Sequence, residues 1–177
     1  MHNDIKEILF SHEDISNRCE EIAKQIDADY HGEQIMLVGL LKGSVPFMSE
    51  LAQHLKSDVT FEFMQVSSYE GVESKTLVVK QDILTDIAGK NILIVEDILD
   101  TGKTLSNVKK MLEKRNAKSV KIVTMLDKEE GRVFDMTADY SGFKIPNAFV
   151  VGFGLDFNQR YRQLPYVGIL KEECYKA

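Results

Sequence analysis

Seven consecutive residues, Ile35-Met36-Leu37-Val38-Gly39-Leu40-Leu41, carry no polar side chain. A strand wetted on one face alternates apolar and polar residues, so an unbroken run reads as a strand covered on both faces. Strand-like runs recur at 91–95 (NILIV), 120–126 (VKIVTML) and 148–152 (AFVVG). Val59, Phe61 and Phe63 alternate with Thr60, Glu62 and Met64, which predicts a strand with one better-buried face; 76–80 is a further short strand. Helical spacing falls between the runs. Ser11 and Asp14 form a cap signature ahead of Ile15, Cys19, Ile22 and Ile26. Pro46 sits in the first turn of a helix expected over 45–55, and Leu105, Val108, Met111 and Leu112 mark another. Residues 67–74, small and polar, are expected to form a flexible loop.

Strands alternating with helices predict an α/β fold with a parallel sheet and helices on its faces. Ligands in such folds gather at the carboxyl ends of the strands, here after Leu41, Val95, Leu126 and Gly152. The 177 residues suit a single domain. The formal charge of −6 argues against a broad basic surface for nucleic acid. Cys19 and Cys174 form no CxxC pair, and His2, His12, His31 and His54 form no HExxH pattern, so neither suggests a metal centre. No apolar stretch nears the ~20 residues of a membrane span, and the N-terminus lacks a signal-like apolar region. The expectation is a soluble, cytoplasmic protein that engages neither membrane nor nucleic acid.

The most informative segment is Ile92 to Thr104, ILIVEDILDTGKT. Glu96 and Asp97 are costly inside a core, which places them at a strand tip where a hydroxyl-rich ligand can reach them. Asp100-Thr101-Gly102-Lys103-Thr104 offers backbone N–H groups and hydroxyls at a helix start, an arrangement suited to phosphate. Taken alone it is also a capped turn, with Asp100 or Thr101 as N-cap. It is not a Walker A motif, because Asp97 stands where the first glycine is required. Gly152-Phe153-Gly154 is not a dinucleotide fingerprint, because Phe157 occupies the third glycine position.

VEDILDTGKTL resembles the phosphoribosyl-pyrophosphate signature of type I phosphoribosyltransferases. The chain as a whole resembles the hypoxanthine-guanine phosphoribosyltransferase family. LVGLLKGSVPF, SSYEG, GKNILIVEDILDTGKTL, MLDKEEGR and FVVGFGLDFNQRYRQLPYVGIL follow in family order from Leu37 to Leu170. The resemblance implies a type I phosphoribosyltransferase core, a central mainly parallel sheet flanked by helices, with a small hood. The core would span about 30–150, and the hood would come from the N-terminal segment and about 152–177.

The resemblance also implies purine salvage: transfer of a phosphoribosyl group from phosphoribosyl pyrophosphate to hypoxanthine or guanine, giving IMP or GMP and pyrophosphate. Glu96 and Asp97 would bind the ribose hydroxyls, and Asp100, Thr101, Gly102, Lys103 and Thr104 the 5′-phosphate. Asp100 would be the catalytic residue, accepting a proton from purine N7. Lys42, Gly43 and Arg162 would hold pyrophosphate, with a non-proline cis peptide common between positions 41 and 42. Ser68 and Tyr69 would belong to a lid that keeps water from the reacting sugar. Lys128 would donate to the purine 6-oxo group, Phe149 would stack on the base, and Val150 and Asp156 would line its edge. Mg²⁺ would be held through Asp156, Glu96 and Asp97, sharing its shell with water and phosphate oxygens. Relatives often carry Pro and a further Arg beside the lysine, where this chain has Asp127-Lys128-Glu129-Glu130-Gly131-Arg132. The family usually forms dimers or tetramers, which implies a homodimer or homotetramer. Two rival readings are a xanthine- or guanine-preferring relative and a nucleotide sensor that binds RNA or DNA.

Overall fold

The computed structural model describes residues 1–70 and 75–176, with the side chains of 68–70, 75 and 76 excepted. Its main sheet has six strands. These are β2 (Ile35–Leu40), β3 (Val59–Glu70), β4 (Lys75–Gln81), β5 (Asn91–Leu99), β6 (Ser119–Asp127) and β7 (Tyr140–Lys144). Their spatial order is β4-β3-β2-β5-β6-β7, and every neighbouring pair is parallel except β3 with β4. A second sheet of three antiparallel strands has the order β1-β9-β8, from β1 (Ile5–Phe10), β8 (Val150–Val151) and β9 (Val167–Leu170).

The central strands read as continuous apolar runs because each of their faces enters a different core. Leu37, Leu93, Val95, Val123 and Met125 pack with α1 (His12–Tyr30) and α2 (Ser44–His54). The alternate residues Met36, Val38, Ile92, Ile94 and Ile122 pack with α3 (Lys103–Glu113) and the Ile83–Ile87 segment. Period-2 alternation of the strand splits one run between the two cores. The helix ahead of Ile15 starts as its signature predicts. Ser11 is the N-cap, and Ser11 and Asp14 complete a reciprocal capping box. Among the described residues no helix is long and apolar enough to cross a membrane.

Several local expectations change. Residues 67–70 are not loop: they extend β3, where the antiparallel ladder with β4 supplies main-chain partners that composition does not reveal. Residues 71–74 of the expected loop lie outside those described. The alternation over 59–64 is only partly kept: Val59 and Phe63 pack against the core, but Phe61 is 48% exposed and Met64 is buried on the other face. Over Val59–Met64 the strand pairs with β2 alone, and β4 joins only from Gln65, so that stretch is a sheet edge. The 148–152 run gives only the two-residue β8, and it lies in the small sheet. β1 and β7 are not evident from sequence. β1 is largely solvated and depends on β9, 160 residues away in sequence, while β7 is a short sheet edge rich in small and polar residues.

Candidate active site

β5 decides the geometry. Its ladder with β2 ends at Val95, whereas its ladder with β6 runs on to Leu99. Glu96 and Asp97 are therefore inside a strand and not at its tip, at the point where β2 turns away. Asp97 is only 9% exposed. Burial pushes both carboxyls above their ordinary range, and for Glu96 the adjacent Asp97 charge adds to the shift. Arg162 pulls Asp97 partly back. The sheet tolerates the acids because β2 leaves that edge free to meet a ligand.

Glu96, Asp97, Asp100, Thr101, Gly102 and Thr104 line one cavity of about 220 Å³. Lys103 is not among its lining residues; it opens α3. The N-cap is Gly102, at φ 80, so neither Asp100 nor Thr101 is the N-cap, although Thr101 Oγ1 accepts from the Lys103 N–H at 3.4 Å. A left-handed residue with no Cβ lets the turn fold tightly and leaves the N–H groups of Thr104 and Leu105 to face an anion.

Lys128 ends beside this turn. Its ammonium lies 3.8 Å from Asp100 Oδ2, and its main-chain N–H donates to the Leu99 carbonyl at 3.0 Å. Gly131 closes over the Asp100 carboxylate, where a Cβ would overlap it. Arg132, which the sequence reading did not select, ties the turn together. Its Nε donates to the Asp100 carbonyl at 2.9 Å, and its guanidinium also reaches the Met136 carbonyl and pairs with the Asp127 carboxylate. Its only sequence signal is its place four residues after Lys128, within the same motif.

The far rim comes from the loops after β2 and β8. The Leu41-Lys42 peptide is cis. A Cβ on Gly43 would overlap the Asp97 carboxylate, and one on Gly154 (φ 101) would overlap the Gly43 carbonyl oxygen. The two loops thus touch each other and β5 through glycines. Lys42 Nζ donates to Gln159 Oε1 at 3.2 Å. Arg162 pairs with Asp156 Oδ1 at 2.8 Å and donates to the Gly154 carbonyl at 2.6 Å. The other oxygen of Asp156 accepts from the Gln159 N–H at 2.9 Å. Gln159, which bridges Lys42 and Arg162, was also missed. Only the fold brings together residues 117 positions apart.

Phe149 and Val150 complete the circle. The Ile145 N–H donates to the Asp127 carbonyl, which runs this segment off the tip of β6 beside Lys128. Val150 is buried, while Phe149 stays 38% exposed and meets Phe157 edge-on at 5.5 Å. Ser68 and Tyr69 lie in β3 by backbone, and their side chains fall outside those described. The arrangement offers adjacent carboxylates, an open helix start, a carboxylate–ammonium pair, a cationic rim and an exposed aromatic face. It suits a phosphorylated sugar on one side and a flat polar heterocycle on the other.

Residues 6–158 match the phosphoribosyl transferase domain family, and the chain belongs to that family. It is 51% identical to the hypoxanthine-guanine phosphoribosyltransferase of Streptococcus pneumoniae, over 99% of this chain and 98% of that one. A crystal structure of hypoxanthine phosphoribosyltransferase from Staphylococcus aureus is 46% identical, with a TM-score of 0.96 over 100% of this chain and 97% of that one. The hypoxanthine phosphoribosyltransferase of Trypanosoma cruzi, solved as a ternary substrates complex, is 39% identical, with a TM-score of 0.94 over 98% and 100%. Within the wider family the chain groups with the hypoxanthine-guanine phosphoribosyltransferases.

Proposed function

We propose that the chain transfers the phosphoribosyl group from phosphoribosyl pyrophosphate to hypoxanthine or guanine, giving IMP or GMP and pyrophosphate. The observation that carries this reading is Asp100, on a cavity that also holds Glu96, Asp97 and the start of α3, with the Lys128 ammonium 3.8 Å from its carboxylate. Glu96 and Asp97 accept from the ribose hydroxyls. The Asp100–Thr104 turn holds the 5′-phosphate on its N–H groups, with Lys103 contributing through its backbone. Asp100 takes the proton from purine N7, so the base attacks C1 of the sugar as a better nucleophile.

Lys128 donates to the 6-oxo group. An ammonium has donors only, so it favours 6-oxo over 6-amino purines. Phe149 stacks on the base, with Val150 and Asp156 at its edge, and Lys42, Gly43 and Arg162 hold the departing pyrophosphate. Ser68 and Tyr69 belong to the lid in this reading.

The donor set fits Mg²⁺: hard oxygens only, on the adjacent carboxylates Glu96 and Asp97, which line the cavity. Asp156 already pairs with Arg162, so it fits better through a bridging water than by direct ligation. Among the described residues no group of three His, Cys, Asp or Glu could hold a metal, so the donor's oxygens would share the ion. When bound, Mg²⁺ neutralises developing charge on the pyrophosphate. A core of about 30–150 with the small sheet as hood, assembly as a homodimer or homotetramer, and a cytoplasmic location belong to the same reading.

The test is Lys128→Ala. The expected result is a kcat/KM for hypoxanthine lowered at least tenfold, with the KM for phosphoribosyl pyrophosphate changed less than threefold. That split follows from losing about 1.5–3 kcal/mol of charged hydrogen bond to the base alone. Equal losses for both substrates in steady-state kinetics would remove Lys128 from the base site.

A further inference from the structure

Two aromatic rings pack on Phe149. The Tyr175 ring stacks on it with centroids 4.7 Å apart and planes 20° from parallel, while Phe157 meets it at 88°. Despite two aromatic neighbours, Phe149 remains 38% exposed. Tyr175 comes from beyond β9, in a tail that is itself anchored. The Lys171 N–H donates to the Asp4 carbonyl at 2.9 Å, Cys174 N–H to Lys171 at 3.0 Å, and Tyr175 N–H to Glu172 at 3.1 Å. The Phe149 carbonyl accepts from the Leu170 N–H at 2.9 Å, so both rings are tied to the same strand end.

We propose that Tyr175 is a positioning residue for the purine: its ring backs Phe149 and fixes the plane against which the base stacks. A phenyl ring 38% exposed beside a two-residue strand has only Phe157 edge-on and Tyr175 stacked against it, among the aromatic pairs, to set its tilt. A ring fixed in advance spares the base the cost of ordering it, which improves binding without touching the reacting atoms. Offset-stacked pairs contribute beyond their buried area, enough for roughly a three- to tenfold effect on an equilibrium. The effect falls on the base, because the ring on which Tyr175 stacks is the one read as the base's platform. The proposal rests on the reading of Phe149 as the purine platform.

The experiment is steady-state kinetics on the wild-type chain, Tyr175→Leu, Tyr175→Phe and Phe149→Leu, with thermal midpoints measured alongside. Tyr175→Leu is expected to raise the KM for hypoxanthine three- to tenfold and to leave kcat and the KM for phosphoribosyl pyrophosphate within twofold. Tyr175→Phe, which keeps the ring, is expected to restore the wild-type KM. If Phe149→Leu impairs use of the base and Tyr175→Leu does not, the proposal fails and the platform stands. If Phe149→Leu is itself without effect, the platform reading fails first. A lowered KM for the base in Tyr175→Leu would show that the tyrosine occupies the base's place, and equal losses for both substrates would make it merely structural; either overturns the proposal.

Discussion

Asp100→Asn is expected to lower kcat with hypoxanthine by roughly two to four orders of magnitude, the range for a positioned general base. Asparagine has the shape of aspartate and can occupy the space under Gly131, but it cannot accept a full proton. Arg132 grips the Asp100 main-chain carbonyl and not the carboxylate, so the substitution leaves the turn in place. In the proposed reading the 5′-phosphate would meet the same N–H groups, and the KM for phosphoribosyl pyrophosphate should stay within about threefold. Pre-steady-state quench separates chemistry from product release. Near-normal turnover in that measurement would reduce Asp100 to a structural residue of the turn.

Gly43→Ala should be nearly as damaging, for a different reason. Gly43 has an ordinary right-handed backbone at φ −63, so alanine adopts it without strain. The obstacle is space: the new methyl would sit on the Asp97 carboxylate, while the Gly43 carbonyl is pressed against Gly154. Either the loop after β2 backs away or Asp97 swings out of line. A displacement near 1 Å at a positioned group costs on the order of a hundredfold in rate. The expected result is kcat/KM for phosphoribosyl pyrophosphate lowered about a hundredfold, with a circular-dichroism spectrum like that of the wild type. A variant with unchanged kcat/KM would show that the contact between Gly43 and Asp97 does not matter to the donor.

Much of this site was legible because its chemistry is local in sequence. Glu96, Asp97 and the Asp100–Thr104 turn lie in one strand-to-helix segment, and Lys128 follows the next strand. The acids and the turn suggest carboxylate and phosphate chemistry from residue type, whereas Lys128 is marked out only by the family resemblance. The strand cores were equally plain, since two-sided burial leaves an apolar run no polar residue can interrupt cheaply.

What was not legible depends on partners distant in the chain. Residues 67–70 become strand only because β4 pairs with them, and β1 because β9 does. The acids were expected at a strand tip; the strand runs past them because β6 extends further than β2. Gln159 between Lys42 and Arg162, and Arg132 between Asp100 and Met136, look like surface polar residues until the loops converge.

The most direct measurement is nucleotide formation, followed by absorbance, from phosphoribosyl pyrophosphate and Mg²⁺ with hypoxanthine, guanine, xanthine or adenine. The account predicts turnover with hypoxanthine or guanine and none with adenine, since Lys128 has only protons to offer the 6-position. Folded protein that binds the donor yet converts none of the four bases would contradict it.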